Sequence, residues 1–118
     1  MTLAQLPNYV RASRKRLGLF QDDVAFLLGI DHREAVCRHE RFVRTPTLED
    51  ALAYEVIYQK PVRELFAGLY QKVEKEVAML AKRATNRTSL KKTPWHSARK
   101  IQTLTDIASR LSSNAQNR

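Results

Sequence analysis

QDDVAFLLGIDHREAVCRHER, residues 21 to 41, holds two short helical patterns hinged at Gly29. In the first, Val24, Ala25, Leu27 and Leu28 set apolar side chains at helical spacing, with Gln21, Asp22 and Asp23 in the opening turn. Acidic side chains suit a helix N-terminus. Gly29 predicts a stop, because glycine enters the left-handed conformation at little steric cost, and Asp31 is placed to cap the helix that follows. Two helices should therefore meet at a sharp corner. With Val36 set inward on the second helix, steps of 100° carry His39 and Glu40 inward and turn Glu34, Cys37, Arg38 and Arg41 outward. The outward face is polar and mostly cationic.

These residues resemble the XRE, or phage-repressor-type (Cro-like), helix-turn-helix family, in the small Ala25, the turn glycine Gly29, the apolar Ile30 and the Glu-Arg pair at 40 and 41. Upstream, RASRKRLGLFQ looks like the family's first helix and its Gly-Leu connection. Downstream, RTPTLEDALAYEVIYQKPVRELF looks like its fourth and fifth helices. The resemblance covers roughly residues 8 to 67. Three departures stand out: Phe20 occupies a position where the family has a capping Ser or Thr, Phe42 stands where it has glycine, and one extra residue falls between Ile30 and Val36.

The resemblance implies an all-α fold and binding of double-stranded DNA, with the helix at about residues 32 to 40 in the major groove. Major-groove reading needs side chains that reach base edges, with Arg to guanine and Asp or Glu to cytosine among the usual pairings. Arg38 and Glu34 are best placed for this, although their spacing of four also suits an intrahelical ion pair. His32 and Arg33, in the first turn, are candidates for a base or a phosphate. Cys37 is either a contact to a thymine methyl or simply a tolerated small residue. By the same resemblance Gln21 anchors the second helix to a phosphate, and Arg14 pairs with Glu40 to fix the recognition helix. Arg41 and Arg44 should lie beside the duplex.

Composition bounds the rest. A chain of 118 residues with 43% hydrophobic content is one small domain, or one with an extension. Its single cysteine excludes an internal disulfide framework and suits a reducing, cytoplasmic setting. No apolar run approaches the ~20 residues of a membrane span, and MTLAQLPNYV lacks a signal pattern. The net charge of +9 is unevenly spread: residues 1 to 66 hold ten Lys/Arg against nine Asp/Glu, and residues 67 to 118 hold eleven against three. Such asymmetry fits a tail on a phosphate backbone, with plain solvation or an anionic membrane as the other readings.

The expected domains are thus a helix-turn-helix module over 1–67 and a basic helical extension over 68–118, with Gly68 at the boundary. In the module, Pro7 and Asn8 open a first helix that turns Val10 and Leu17 inward and ends at Gly18. Thr47 and Asp50 form an approximate capping box, and Leu48, Ala51, Leu52, Val56 and Tyr58 give the fourth helix an apolar side. Pro61 leads into the fifth. In the extension, Leu69, Val73, Val77, Leu80 and Ala84 predict an amphipathic helix able to bury its stripe against a twin. ATNRTSLKKT reads as a polar linker, with Lys91 and Lys92 as phosphate contacts. Thr93 and Pro94 then start a final helix with Ala98, Ile101, Leu104, Ala108 and Leu111 on one side and Trp95 as an apolar anchor.

Catalysis and metal binding find no support. His32, Cys37 and His39 scatter around a helix axis, and no further cysteine pair completes a zinc set. Cys37 and His39 lack a third orienting group, so neither an enzyme nor a cofactor is expected. The expected protein is a homodimeric transcriptional repressor on a near-palindromic site. Its alternatives are an antitoxin-like protein whose basic extension engages a protein partner, and a nonspecific nucleic-acid binder led by that tail.

Overall fold

The computed structural model describes residues 8–89 and 96–116. Its described residues form seven helices and no strand: α1 (Val10–Arg16), α2 (Gln21–Leu28), α3 (Arg33–Glu40), α4 (Leu48–Tyr58), α5 (Val62–Leu65), α6 (Ala67–Ser89) and α7 (His96–Gln116). The protein is all-α. Two compact units divide the chain, residues 1–70 and residues 71–118, and helix α6 runs across the division. Gly68, expected at a domain boundary, is buried in the first turn of α6, and the division falls just after it, between Tyr70 and Gln71.

Short helices need defined ends, and in the first unit three are closed by the same backbone device. After α1 the N–H groups of Gly18 and Leu19 bond to the carbonyls of Lys15 and Arg14, and after α2 those of Gly29 and Ile30 bond to Phe26 and Ala25. Each closure needs a residue with positive φ. Gly18 and Gly29 supply it at φ 73° and 74°. The third closure follows α3, where Phe42 and Val43 bond to His39 and Arg38. Here Phe42 itself adopts φ 52°.

The core of this unit gathers Val10, Val24, Ala25, Val36, Phe42, Tyr54, Tyr58, Leu65 and Phe66, with Leu19, Leu28, Ile30, Ile57, Val62 and Leu69 packed around it. Aromatic rings dominate one side: Tyr54 stacks on Tyr58 at 5.8 Å, and Phe66 meets both Tyr54 and Phe42 edge to face at about 6 Å. Helix α4 shows that core facing differently from expectation. It buries Ala51, Tyr54 and Tyr58, while Leu48 and Val56 are 75% and 69% exposed. Leu17, at the C-cap of α1, and Leu27 also face outward.

The caps follow local chemistry. Asn8, one residue before the Tyr9 N-cap of α1, accepts the Val10 N–H on its Oδ1 at 3.1 Å, and Thr47 Oγ1 accepts from Asp50 N–H on α4. Phe20 has no side-chain acceptor to offer α2. Asp23 instead takes the N–H of Phe20 on its carboxylate at 2.8 Å, which is half of a capping box. Pro61 caps α5 as a single turn, and Glu55 accepts the Val62 N–H at 2.8 Å.

In the second unit α6 continues through Ser89, so residues 84–89 are helical rather than a linker. Hydroxyl-rich sequence is compatible with helix when the hydroxyl bonds back to the preceding turn. Thr85 does so, donating to the Ala81 carbonyl at 2.9 Å, as Thr103 does to Arg99 in α7. Val73, Val77 and Leu80 are about half exposed, and Ile101, Leu104 and Ala108 are half-buried. Lys91, Lys92, Thr93, Pro94 and Trp95 lie outside the described residues. No described helix is long and apolar enough to cross a membrane.

Candidate functional site

Helix α3 divides its eight residues between two duties. Val36 and His39 are buried, whereas Arg33, Glu34 and Arg38 are exposed, as are His32 before the helix and Arg41 and Arg44 after it. The exposed set is five cationic or ionisable side chains with one carboxylate. Glu34 and Arg38 approach to only 4.0 Å, the loosest form of an ion pair, so the Arg38 guanidinium remains accessible. Cys37, expected to face outward, is half-buried and offers solvent little of its surface.

The inward side is fixed at its C-terminal end by a buried polar cluster. Arg14 grips Glu40 with two parallel contacts, Nε to Oε2 at 2.6 Å and Nη2 to Oε1 at 3.2 Å, and its third nitrogen donates to the Leu19 carbonyl at 3.0 Å. Side-chain exposures of 9% for Arg14 and 2% for Glu40 make this an interior pair rather than a surface one. The bond to Glu40 raises the Arg14 guanidinium further above its usual range, against the opposing effect of burial. Gln21 Nε2 adds a third donor to Glu40 Oε1 at 3.1 Å.

That last contact gives Gln21 a part in holding Glu40 beside the phosphate contact expected of it. One N–H of its amide is committed to Glu40, and the carboxylates of Asp22 and Asp23 share the same helix end. Among the described residues Arg41 and Arg44 have no such competitor. Asn8 completes the cluster from the other side, its amide donating to the carbonyls of Glu40 at 3.1 Å and His39 at 3.4 Å. Periodicity could not reveal Asn8 in this part, because the contact joins residues more than thirty apart in sequence.

His39 provides the second anchor. Its Nδ1 lies 2.8 Å from the Tyr54 hydroxyl, with the two rings edge to face at 5.7 Å. Burial raises the Tyr54 phenol well above its ordinary range, so it keeps its proton and is able to donate. Burial holds the His39 imidazole below its ordinary 6.5; Asp50 opposes this shift and Arg44 adds to it. The folded state therefore binds the proton less readily than the unfolded chain. Stability should be level above about pH 6.5 and fall below it, by up to about 1.4 kcal/mol per unit, until the folded imidazole titrates as well. Urea midpoints between pH 7.5 and 5.5 measure this, and a His39→Gln variant should flatten that limb.

The N-terminal end of α3 is open by contrast. Its N-cap is His32, in extended conformation and with no side-chain bond to the first turn, and Asp31 does not cap the helix as expected. The helix starts after His32, which places that ring in the approach to the helix and Arg33 at its first position. Ala35 N–H reaches the His32 carbonyl at 3.4 Å, whereas the N–H groups of Arg33 and Glu34 have no acceptor among the described residues, and such a helix end beside a cation suits a negatively charged ligand. Among the described residues no group of three or more His, Cys, Asp or Glu is arranged to hold a metal ion. Comparison with known proteins found no matching family model, no matching curated protein and no matching solved structure, so these side chains and their geometry carry the functional argument.

Proposed function

We propose that the first unit is a repressor-type helix-turn-helix module of five helices, and that the protein binds double-stranded DNA sequence-specifically as a homodimeric transcriptional repressor. The observation that carries this reading is the division of α3: an exposed cationic face backed by the Arg14–Glu40–Gln21 cluster, which holds that face in one orientation. Arg38, Arg33 and Glu34 are the base-reading candidates, with His32 at the helix entry and Cys37 in a lesser part. Arg41 and Arg44 face the phosphates. The basic second unit supplies further nonspecific attraction. Two recognition helices about 34–36 Å apart would enter successive major grooves, and occupancy of a promoter would exclude polymerase.

Selection of bound duplexes from a random library at ~150 mM salt tests the reading. It predicts an enriched near-palindromic motif, bound at least ~10³-fold more tightly than a scrambled control. Binding that enriches nothing and collapses with salt contradicts it. On the selected site Arg38→Ala should cost about 1–3 kcal/mol and relax choice at one base position, while leaving affinity for random DNA nearly unchanged. Equal losses on both would reduce Arg38 to a phosphate contact.

A further inference from the structure

Helix α6 keeps an apolar stripe that the chain itself leaves half exposed. Val73, Val77 and Leu80 fall with Ala84 inside an arc of about 60° at 100° per residue. One edge of that stripe carries charge of both signs. Glu76 and Arg83, seven residues apart, lie on the same edge within about 20° of each other, with Arg87 between that edge and the stripe one turn further along.

We propose that this stripe is the homodimer surface, occupied by α6 of a second copy running antiparallel. An antiparallel pair that sets Val77 beside the partner's Leu80 brings Glu76 within reach of the partner's Arg83, and the twofold axis repeats the contact. Two cross-helix ion pairs then flank one apolar seam. A parallel pair would bring Arg83 and Arg87 of both copies to one end of the seam, where like charges repel. The Lys72 ammonium already touches Glu76 at 2.7 Å within the helix, so the carboxylate would be shared between the two cations.

A second exposed stripe, Leu48, Leu52 and Val56 on α4, fits a twin poorly. Glu49 and Glu55 flank it at about 60° on either side, so pairing it with itself sets carboxylate against carboxylate. Only the α6 edge is self-complementary in charge.

The proposal rests on the dimeric reading above and specifies its surface. Sedimentation of the full chain at ~150 mM salt tests it. The wild type should be a dimer. Val77→Glu should weaken dimerisation by about a hundredfold or more while far-UV circular dichroism keeps its helical signal. Glu76→Arg should weaken it roughly three- to tenfold, and the double variant Glu76→Arg with Arg83→Glu should return to within about threefold of the wild type. A monomeric wild type, a dimer indifferent to Val77→Glu, or a double variant no better than the single one would each overturn the proposal. The two readings also fail separately. A monomer that still selects one DNA motif removes this surface and leaves DNA recognition standing; a dimer that selects nothing does the reverse.

Discussion

Glu40→Ala should destabilise the protein by about 3–5 kcal/mol, the range for removing one partner of a buried ion pair. Most of that loss comes from what remains behind. Arg14 would keep its charge in an interior site, held only by the Leu19 carbonyl, and Gln21 would lose its acceptor. Glu40→Gln retains one acceptor oxygen and should lose less, while Arg14→Met combined with Glu40→Leu removes both charges and should recover much of the stability. Urea unfolding of the wild type, Arg14→Met, Glu40→Leu and the pair forms a double-mutant cycle. An additive result, with no recovery in the pair, would mean that the two side chains act independently despite their contact.

Phe42→Ala should cost a similar amount, about 3–5 kcal/mol, and the informative variant is Phe42→Gly. Two opposing effects meet at this residue. Its ring is fully buried and packs edge to face on Phe66, yet its backbone sits at φ 52°, a conformation that costs a side-chain-bearing residue about 1–2 kcal/mol. Alanine loses the ring and keeps the strain. Glycine loses the ring and releases the strain, so Phe42→Gly should be more stable than Phe42→Ala by about 1 kcal/mol even though it deletes more atoms. The same rank order in urea midpoints checks it. If alanine were the more stable of the two, the left-handed turn would not survive loss of the ring.

Phe42 also shows where sequence and structure part company. A departure from the family pattern is visible in the sequence, but its resolution depends on Phe66, which lies beyond α4 and offers the ring a place in the core. The inner positions Val36, His39 and Glu40 follow from spacing, because α3 mixes apolar and charged residues and has only one face fit for burial. Helix α4 is different. LEDALAYEVIY is apolar on several sides, so spacing cannot choose between Leu48, Leu52 and Val56 and the face that the core takes, Ala51, Tyr54 and Tyr58. The choice is made by His39 and Phe66, whose rings meet Tyr54 edge to face across the core, which is a tertiary property.

The site was legible to a similar depth. Arg14 and Glu40 came through family resemblance, since nothing local connects residues 26 apart, and the structure brings them together. The exposed cations of α3 followed from its angular count; the half-burial of Cys37 did not. Gln21 and Tyr54 acquire their parts only through Glu40 and His39, each on another helix. The extension of α6 past Ala84 carries a hydroxyl that bonds back into the helix, in a stretch that composition alone reads as a loop.

The division of labour within α3 has an evolutionary meaning. The residues that hold the helix in place and those that it presents to solvent are different residues, with no side chain serving both ends. Arg33, Glu34 and Arg38 can be exchanged without disturbing Val36, His39 or Glu40, so drift in the outer letters leaves the fold untouched. On the proposed reading, a module built this way would acquire a new target one substitution at a time, and its descendants would share a hidden inner signature while their outer faces diverge.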